Sequence, residues 1–104
     1  MMSVTMRIIQ EFDPCNESDF MALEREFAEL ERRRPDYPNG RRLQPISAAD
    51  PCHTLVWECK FPDLEAARAA LQLFQGDAEH EALAEKQSPY FRRIRVEFYE
   101  NLDF

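Results

Sequence analysis

Apolar and polar residues alternate along several stretches of this 104-residue chain, and in two other stretches the apolar residues recur at helical spacing. The sharpest alternation lies in residues 53–63, HTLVWECKFPD. Its odd-numbered positions hold Leu55, Trp57, Cys59 and Phe61, while its even-numbered positions mix Val56 with polar residues. Because successive side chains of a strand point to opposite faces, this pattern predicts a strand with one apolar face and one mixed face.

Three further extended segments are predicted from the same kind of pattern. Residues 4–12 and 92–100 alternate clearly and read as a first and a last strand. Residues 41–47 are a weaker segment, and Pro45 restricts them to the edge of a sheet because proline cannot donate to a hydrogen-bond ladder. This segment is expected to form a hairpin with the strand that follows it.

Two stripes of apolar residues at spacings of three, four and three predict helices. The first stripe consists of Phe20, Leu23, Phe27 and Leu30, and the second of Leu64, Ala67, Leu71 and Phe74. Asp63 is a natural cap for the second helix. Residues 78–86 either continue that helix or form a separate short helix capped by Asp77.

The resulting order of strand, helix, strand, strand, helix, strand predicts a ferredoxin-like βαββαβ two-layer sandwich, an α+β fold. Right-handed crossovers place both helices on one face of a four-stranded antiparallel sheet, with strands one and three in the middle. The apolar faces of strands one, three and four are then expected to meet the two helical stripes. The length allows one hydrophobic core, so residues 1–104 are expected to form a single domain.

The second face of this sheet would mix charged and apolar side chains. It would carry Arg7, Ile9, Glu11, Val56, Glu58, Lys60, Arg95, Glu97 and Tyr99. An antiparallel sheet can leave such a face in water, or the sheet of a second copy can cover it. We favour a homodimer, because Ile9, Val56 and Tyr99 are more apolar than a solvated face requires.

Composition narrows the possible partners. Acidic residues outnumber basic ones by 20 to 13, and the net charge of -7 argues against nucleic acid, because phosphate binding needs a basic surface. The one basic cluster, residues 32–34, suits the negative pole of a helix C-terminus. The chain has neither a membrane-span pattern nor a secretion signal, so we expect a cytoplasmic protein that does not act at a membrane.

The three cysteines, Cys15, Cys52 and Cys59, form an odd set, and no disulfide framework is expected. A metal site built from Cys52, His53 and Cys59 is disfavoured, because a six-residue step along a strand covers about 20 Å. We therefore expect no metal and no cofactor.

Two stretches of the second half, WECKFPDLEAARAAL and DAEHEALAEKQSPYFRRIRVEFYENL, combine a long helix, a short helix and a last strand that ends in Phe98-Tyr99-Glu100. In this the chain resembles the small dimeric α+β barrel proteins, particularly those similar to the NIPSNAP and antibiotic-biosynthesis-monooxygenase groups. The resemblance implies a dimeric α+β barrel. The activities it implies range from none assigned to cofactor-independent oxygenases, haem-degrading enzymes, isomerases and ligand sensors.

Haem-degrading proteins of this kind combine a strand tryptophan, a helix histidine and an asparagine on an early strand. Trp57 and His80 are the residues available for the first two roles. The first strand has Gln10 and no asparagine, so haem chemistry is not expected.

Five residues are candidates for lining a ligand pocket, namely His53, Glu58, Tyr99, Trp57 and His80. His53 stands at the mouth of the third strand, where it could act as a general base or be an ordinary loop residue. Glu58 and Tyr99 belong to the second sheet face, and cross-strand pairing with a basic neighbour is the plainer role of Glu58. His80 lies among acidic residues in the first turns of a helix, which favours a surface histidine.

Three functions agree with these features. The preferred one is a homodimer that holds a small, partly apolar molecule in its sheet-lined interior. The alternatives are a cofactor-independent monooxygenase or isomerase, and a structural or regulatory oligomer.

Overall fold

The computed structural model describes residues 2–104 and has the predicted order of elements. The strands are β1 (Val4–Phe12), β2 (Arg41–Leu43), β3 (Thr54–Phe61) and β4 (Phe91–Glu100). The helices are α1 (Glu17–Arg33), α2 (Leu64–Gly76) and α3 (Ala78–Gln87), and short 3-10 turns span Pro14–Asn16 and Ser88–Tyr90. Asp63 and Asp77 accept hydrogen bonds from the backbone N–H groups of Ala66 and His80, so α3 is a separate helix with its own cap.

The four strands form one antiparallel sheet in the order β2-β3-β1-β4, which confirms the ferredoxin-like prediction with strands one and three in the centre. In the register, Ile8 of β1 lies opposite Trp57 of β3 and Val96 of β4. Strand β2 pairs with β3 as predicted but contains only three residues. The ladder ends two residues before Pro45, which has no N–H to continue it.

Two clusters of buried side chains form the core between the sheet and the helices. One joins β1 and β3 to α2 through Val4, Met6, Trp57, Phe61, Ala67 and Ala70. The other joins the opposite ends of the same strands to α1 through Phe12, Phe20 and Leu55. The middle of β1, at Ile8 and Gln10, therefore lies between two centres of packing.

The helices leave part of β4 uncovered. Its side chains Ile94, Val96 and Phe98 lie on the helix side of the sheet, yet they are 50%, 40% and 38% exposed. The expectation that the helices cover the apolar face of strand four is therefore wrong. The reason is that α2 packs on the central strands, whereas β4 forms the edge of the sheet.

A segment of the chain itself covers part of the other sheet face. Leu43, Val56, Ile9 and Arg95 are paired in a row across the four strands. The segment of residues 44–53 crosses this row, because Asp50 accepts two hydrogen bonds of 2.9 Å from the Arg95 guanidinium at its far end. Ile9 is only 5% exposed as a result. The expectation that Ile9 needs a second copy for cover is therefore wrong.

Within residues 2–104, every helix is either too short or too polar to cross a lipid bilayer.

Candidate ligand-binding site

A cavity of about 320 Å³ lies between the helices and the sheet, in the space that separates the two core clusters. It is lined by Ile8, Gln10, Glu24, Phe27, Leu30, Glu31, Tyr37, Arg42, Trp57, Leu71, Phe74, Gln75, His80, Ala84, Gln87, Phe91, Ile94 and Val96. Ile94 and Val96 are exposed on the edge strand, so the cavity reaches solvent beside β4. Its size falls within the range of pockets that hold small molecules.

Aromatic rings form one wall of this cavity. Phe74 of α2 meets the Trp57 indole edge-on at 5.7 Å between centroids, and it stacks with the His80 ring at 5.1 Å and with the Tyr37 ring at 5.7 Å. Phe27 of α1 and Tyr37 also pack near His80, at 4.8 Å and 6.2 Å. Rings at these distances and angles are in favourable aromatic contact, so together they form a continuous apolar wall.

Two carboxylates and one guanidinium occupy a second wall. Glu24 and Glu31 lie seven residues apart on the inward face of α1 and are only 5% and 8% exposed. Arg42 of β2 reaches both, with Nε 2.6 Å from Glu24 and its two Nη atoms 2.6 and 3.3 Å from the Glu31 oxygens. Burial alone lowers the pKa of Arg42, but its bonds and charge interactions with Glu31 and Glu24 outweigh burial and raise that pKa.

Other donors complete this group. The Trp57 indole N–H and the backbone N–H of Gly40 donate to Glu31, at 3.2 and 3.3 Å. The Gln87 side-chain amide donates to Glu24 at 2.9 Å. We call the set of Glu24, Glu31, Arg42, Trp57 and Gln87 the buried polar network. It joins α1, β2, β3 and α3, and every carboxylate oxygen in it has a donor.

Ion pairs outside the cavity fix the start of α3. Arg34, just after α1, donates to Asp77 at 2.9 Å and to Glu79 at 3.1 Å, and Arg33 pairs with Glu79. Arg34 lowers the pKa of Asp77 to about 2, with help from the backbone N–H of His80. Arg33 and Arg34, which were predicted to oppose the negative pole at the C-terminus of α1, therefore also hold α3 against α1. This contact positions His80 over the aromatic wall.

The cavity environment affects its two titratable rings. Burial lowers the pKa of His80, although Asp77, Glu31 and Glu81 oppose that effect. Burial also raises the pKa of Tyr37, and the nearby Asp77 carboxylate adds to the increase. At neutral pH both rings are therefore uncharged, which suits contact with an apolar molecule.

The structure brings two of the five candidate residues together and separates the other three from them. Trp57 and His80 both line the cavity, on either side of Phe74. His80 is half-buried among rings, which differs from the expected surface histidine.

The remaining three candidates lie outside the cavity. His53 is at the end of β3, with Nε2 3.6 Å from a Glu11 oxygen. Glu58 lies on the opposite sheet face, 3.4 Å from Arg7 and 3.1 Å from Arg41. Tyr99 is on that face too, and its hydroxyl donates to Glu97 at 2.5 Å.

Sequence reasoning missed the charged half of the site. Glu24 and Glu31 lie four residues after Phe20 and Phe27 of the first apolar stripe, and residues at that spacing share one face of a helix, here the buried face of α1. Charged residues on an apolar stripe are the signal that could have revealed them. Arg42 is paired with Trp57 and therefore lies on the helix side of β2. Because β2 has only three residues, its sequence does not indicate which side chains face the helices.

Among residues 2–104, His, Cys, Asp and Glu side chains do not gather in groups of three that could hold an ion. The three cysteines are free thiols.

Fold and cavity together define a ferredoxin-like α+β domain with a pocket between its two layers. Solved structures share this fold over nearly the whole chain. A NIPSNAP family protein from Agrobacterium tumefaciens matches with a TM-score of 0.80 and 10% identity, covering 99% of this chain and 89% of that one. An uncharacterized NIPSNAP domain protein from Burkholderia xenovorans matches with a TM-score of 0.78 and 17% identity, covering 99% and 97%.

A structure described as an antibiotic biosynthesis monooxygenase has a TM-score of 0.72 and 19% identity, and the match covers 96% of this chain and 99% of that one. These likenesses confirm the ferredoxin-like α+β fold predicted from the sequence. No protein-family model and no curated protein matches the chain.

Proposed function

We propose that this protein binds a small, largely apolar, planar molecule in the cavity between its helices and its sheet. The observation that carries the proposal is a cavity of about 320 Å³ with aromatic walls and a few fixed polar groups, placed between two separate core clusters. Ligand pockets are typically mostly apolar, with a small number of polar groups that fix orientation. Trp57 and His80 are the candidate residues that this proposal retains.

Filling the cavity tests the proposal. Ala84 lines the cavity from α3, whereas Ala82 on the same helix is exposed and outside it. We expect calorimetry with 2-naphthamide to show saturable binding to the wild type and to Ala82→Phe, and none to Ala84→Phe. Native mass spectrometry of the purified protein would show whether a molecule co-purifies. Equal binding by the two variants, or no binding by the wild type, would contradict the proposal.

A second copy of the chain is proposed to cover the outer sheet face, as the dimeric-barrel resemblance implies. Beyond the row crossed by segment 44–53, this face still carries the exposed ring of Tyr99. Ile46 in that segment is fully exposed as well. In such a homodimer, Glu58 and Tyr99 would face the sheet-lined interior. Light scattering at micromolar concentration should give twice the mass of the chain, and a monomer would contradict this part of the proposal.

Cofactor-independent oxygenation or isomerisation of the bound molecule is a second candidate function. It is favoured by His80, whose lowered pKa leaves an unprotonated imidazole at the cavity wall. In this function His80 removes a proton from a phenolic or enolic substrate, and dioxygen is the oxidant of the oxygenation.

Oxygen uptake with a naphthoquinol substrate tests this second function. We expect turnover by the wild type and by His53→Gln, which changes a histidine outside the cavity. His80→Gln should lose turnover. Turnover that survives in His80→Gln would exclude His80 as the base, and no uptake by the wild type would leave ligand binding as the function.

A further inference from the structure

The charges on the cavity wall are unequal. Of the residues that line the cavity, Glu24 and Glu31 carry carboxylates and Arg42 a guanidinium, while burial lowers the pKa of His80. Two carboxylates against one guanidinium leave this wall with a net charge of -1. The wall is largely withdrawn from water, where charge interactions are stronger than at a surface.

The single cation on this wall is already occupied. Arg42 uses Nε for Glu24 and both Nη atoms for Glu31, at distances of 2.6 to 3.3 Å. Guanidinium groups bind carboxylates best in this forked geometry. A ligand carboxylate entering the cavity would therefore meet two protein carboxylates and no uncommitted positive charge.

We propose that Glu24 and Glu31 determine ligand charge, so that the cavity accepts neutral or cationic planar molecules and rejects anionic ones. This inference rests on the proposed ligand-binding function and adds the class of ligand. The two carboxylates neutralise Arg42, which would otherwise attract an anion into the cavity. A network with only a structural role would stabilise the fold without distinguishing ligands by charge.

Three ligands of matched shape test the inference in the wild type. At pH 7, 2-naphthamide is neutral, 2-naphthoate is anionic and 2-naphthamidine is cationic, on the same bicyclic ring. We expect calorimetry to show the amidine binding at least as tightly as the amide, and the naphthoate binding at least about tenfold more weakly than the amide. Naphthoate affinity equal to or above that of the amide would overturn the inference while leaving the cavity as a binding site.

Failure of all three ligands to bind would instead overturn the proposed function, and the charge inference with it. The wild-type comparison needs no variant, so it decides the question even where a substitution in the buried polar network prevents folding.

Variants then assign the effect to these residues. Glu31→Gln removes one cavity charge, and Glu29→Gln removes the same charge from an exposed position on the same helix. We expect Glu31→Gln to raise naphthoate affinity about tenfold with little change for the amide, and Glu29→Gln to leave both affinities unchanged. An equal response of the two variants would show a general effect of net charge and overturn the assignment to Glu31.

Discussion

Replacing Arg42 by methionine should destabilise this protein severely, because Glu24 and Glu31 would lose the one cation that pairs with them among residues 2–104. Both carboxylates are more than nine-tenths buried, so solvent cannot replace the lost partner. Removing one member of a buried ion pair costs about 3–5 kcal/mol. With an unfolding entropy of about 2.1 cal/mol/K per residue, this corresponds to a fall in Tm of about 14–23 °C for a chain of this length.

Arg41→Met is the matched control. It makes the same exchange on the same three-residue strand, but the Arg41 side chain is 71% exposed and its partner Glu58 lies on the other sheet face. Exposed ion pairs contribute less than about 1 kcal/mol. Urea unfolding followed by circular dichroism should therefore separate the two variants by at least about 2 kcal/mol.

A second substitution tests whether the loss has the proposed cause. If unpaired charge destabilises Arg42→Met, then adding Glu31→Gln should recover part of the lost free energy of unfolding, because it removes one uncompensated carboxylate. If the free energies of unfolding of Arg42→Met and Arg41→Met agree within error, or if the second substitution destabilises further, the description of a buried polar network centred on Arg42 is wrong.

Three other predictions test separate features. A Cβ on Gly40 would overlap the Trp57 indole ring, so Gly40→Ala should lower the free energy of unfolding by about 1–3 kcal/mol and shift the tryptophan fluorescence. A Cβ on Gly76 meets open space, so Gly76→Ala should leave that free energy unchanged or raise it slightly. The His80 ring should titrate by NMR below the ordinary histidine pKa of about 6.5. Because the unfolded chain then binds more protons than the folded one, His80 should reduce the free energy of unfolding as the pH falls through about 6.5. Titration of the ring at or above that pH would contradict its burial. Asp50→Asn should speed hydrogen exchange in the segment that it ties to the sheet and leave the global unfolding midpoint nearly unchanged, and unaltered exchange there would mean that other contacts hold the segment.

The fold could be predicted because its signals are local and periodic. The apolar stripe from Phe20 to Leu30 arises from one helix with one buried face, and the alternation in residues 53–63 arises in the same way from one strand. Asp63 and Asp77 mark helix starts by the same local chemistry, which the structure shows as capping bonds. The shortness of β2 was not predictable in this way, since the segment after Leu43 is held by the distant Arg95 and not by a strand partner.

The site could not be predicted to the same extent, because it depends on which faces of different elements meet. Trp57 and His80 are candidates through the family resemblance, and their proximity depends on Phe74, which contacts both rings. Glu24 lies against Gln87 although 63 residues separate them. Neither Glu24 nor Gln87 has a local sequence pattern that indicates the other. The sequence therefore led to a ligand site on the outer sheet face and gave no indication of the cavity between the helices and the sheet.

The buried polar network also explains why that space stays open. A gap between two apolar core clusters would ordinarily close by inward movement of a helix, because buried apolar surface favours close packing. Here Glu24 and Glu31 of α1 bond to Arg42 of β2, so the helix and the strand are separated by the length of two charged side chains. A buried ion network is often less stabilising than apolar side chains of similar volume. A chain selected only for stability would therefore favour apolar residues at these positions, so the presence of two carboxylates and a guanidinium beside an aromatic wall agrees with the proposed ligand-binding function, which needs an open cavity.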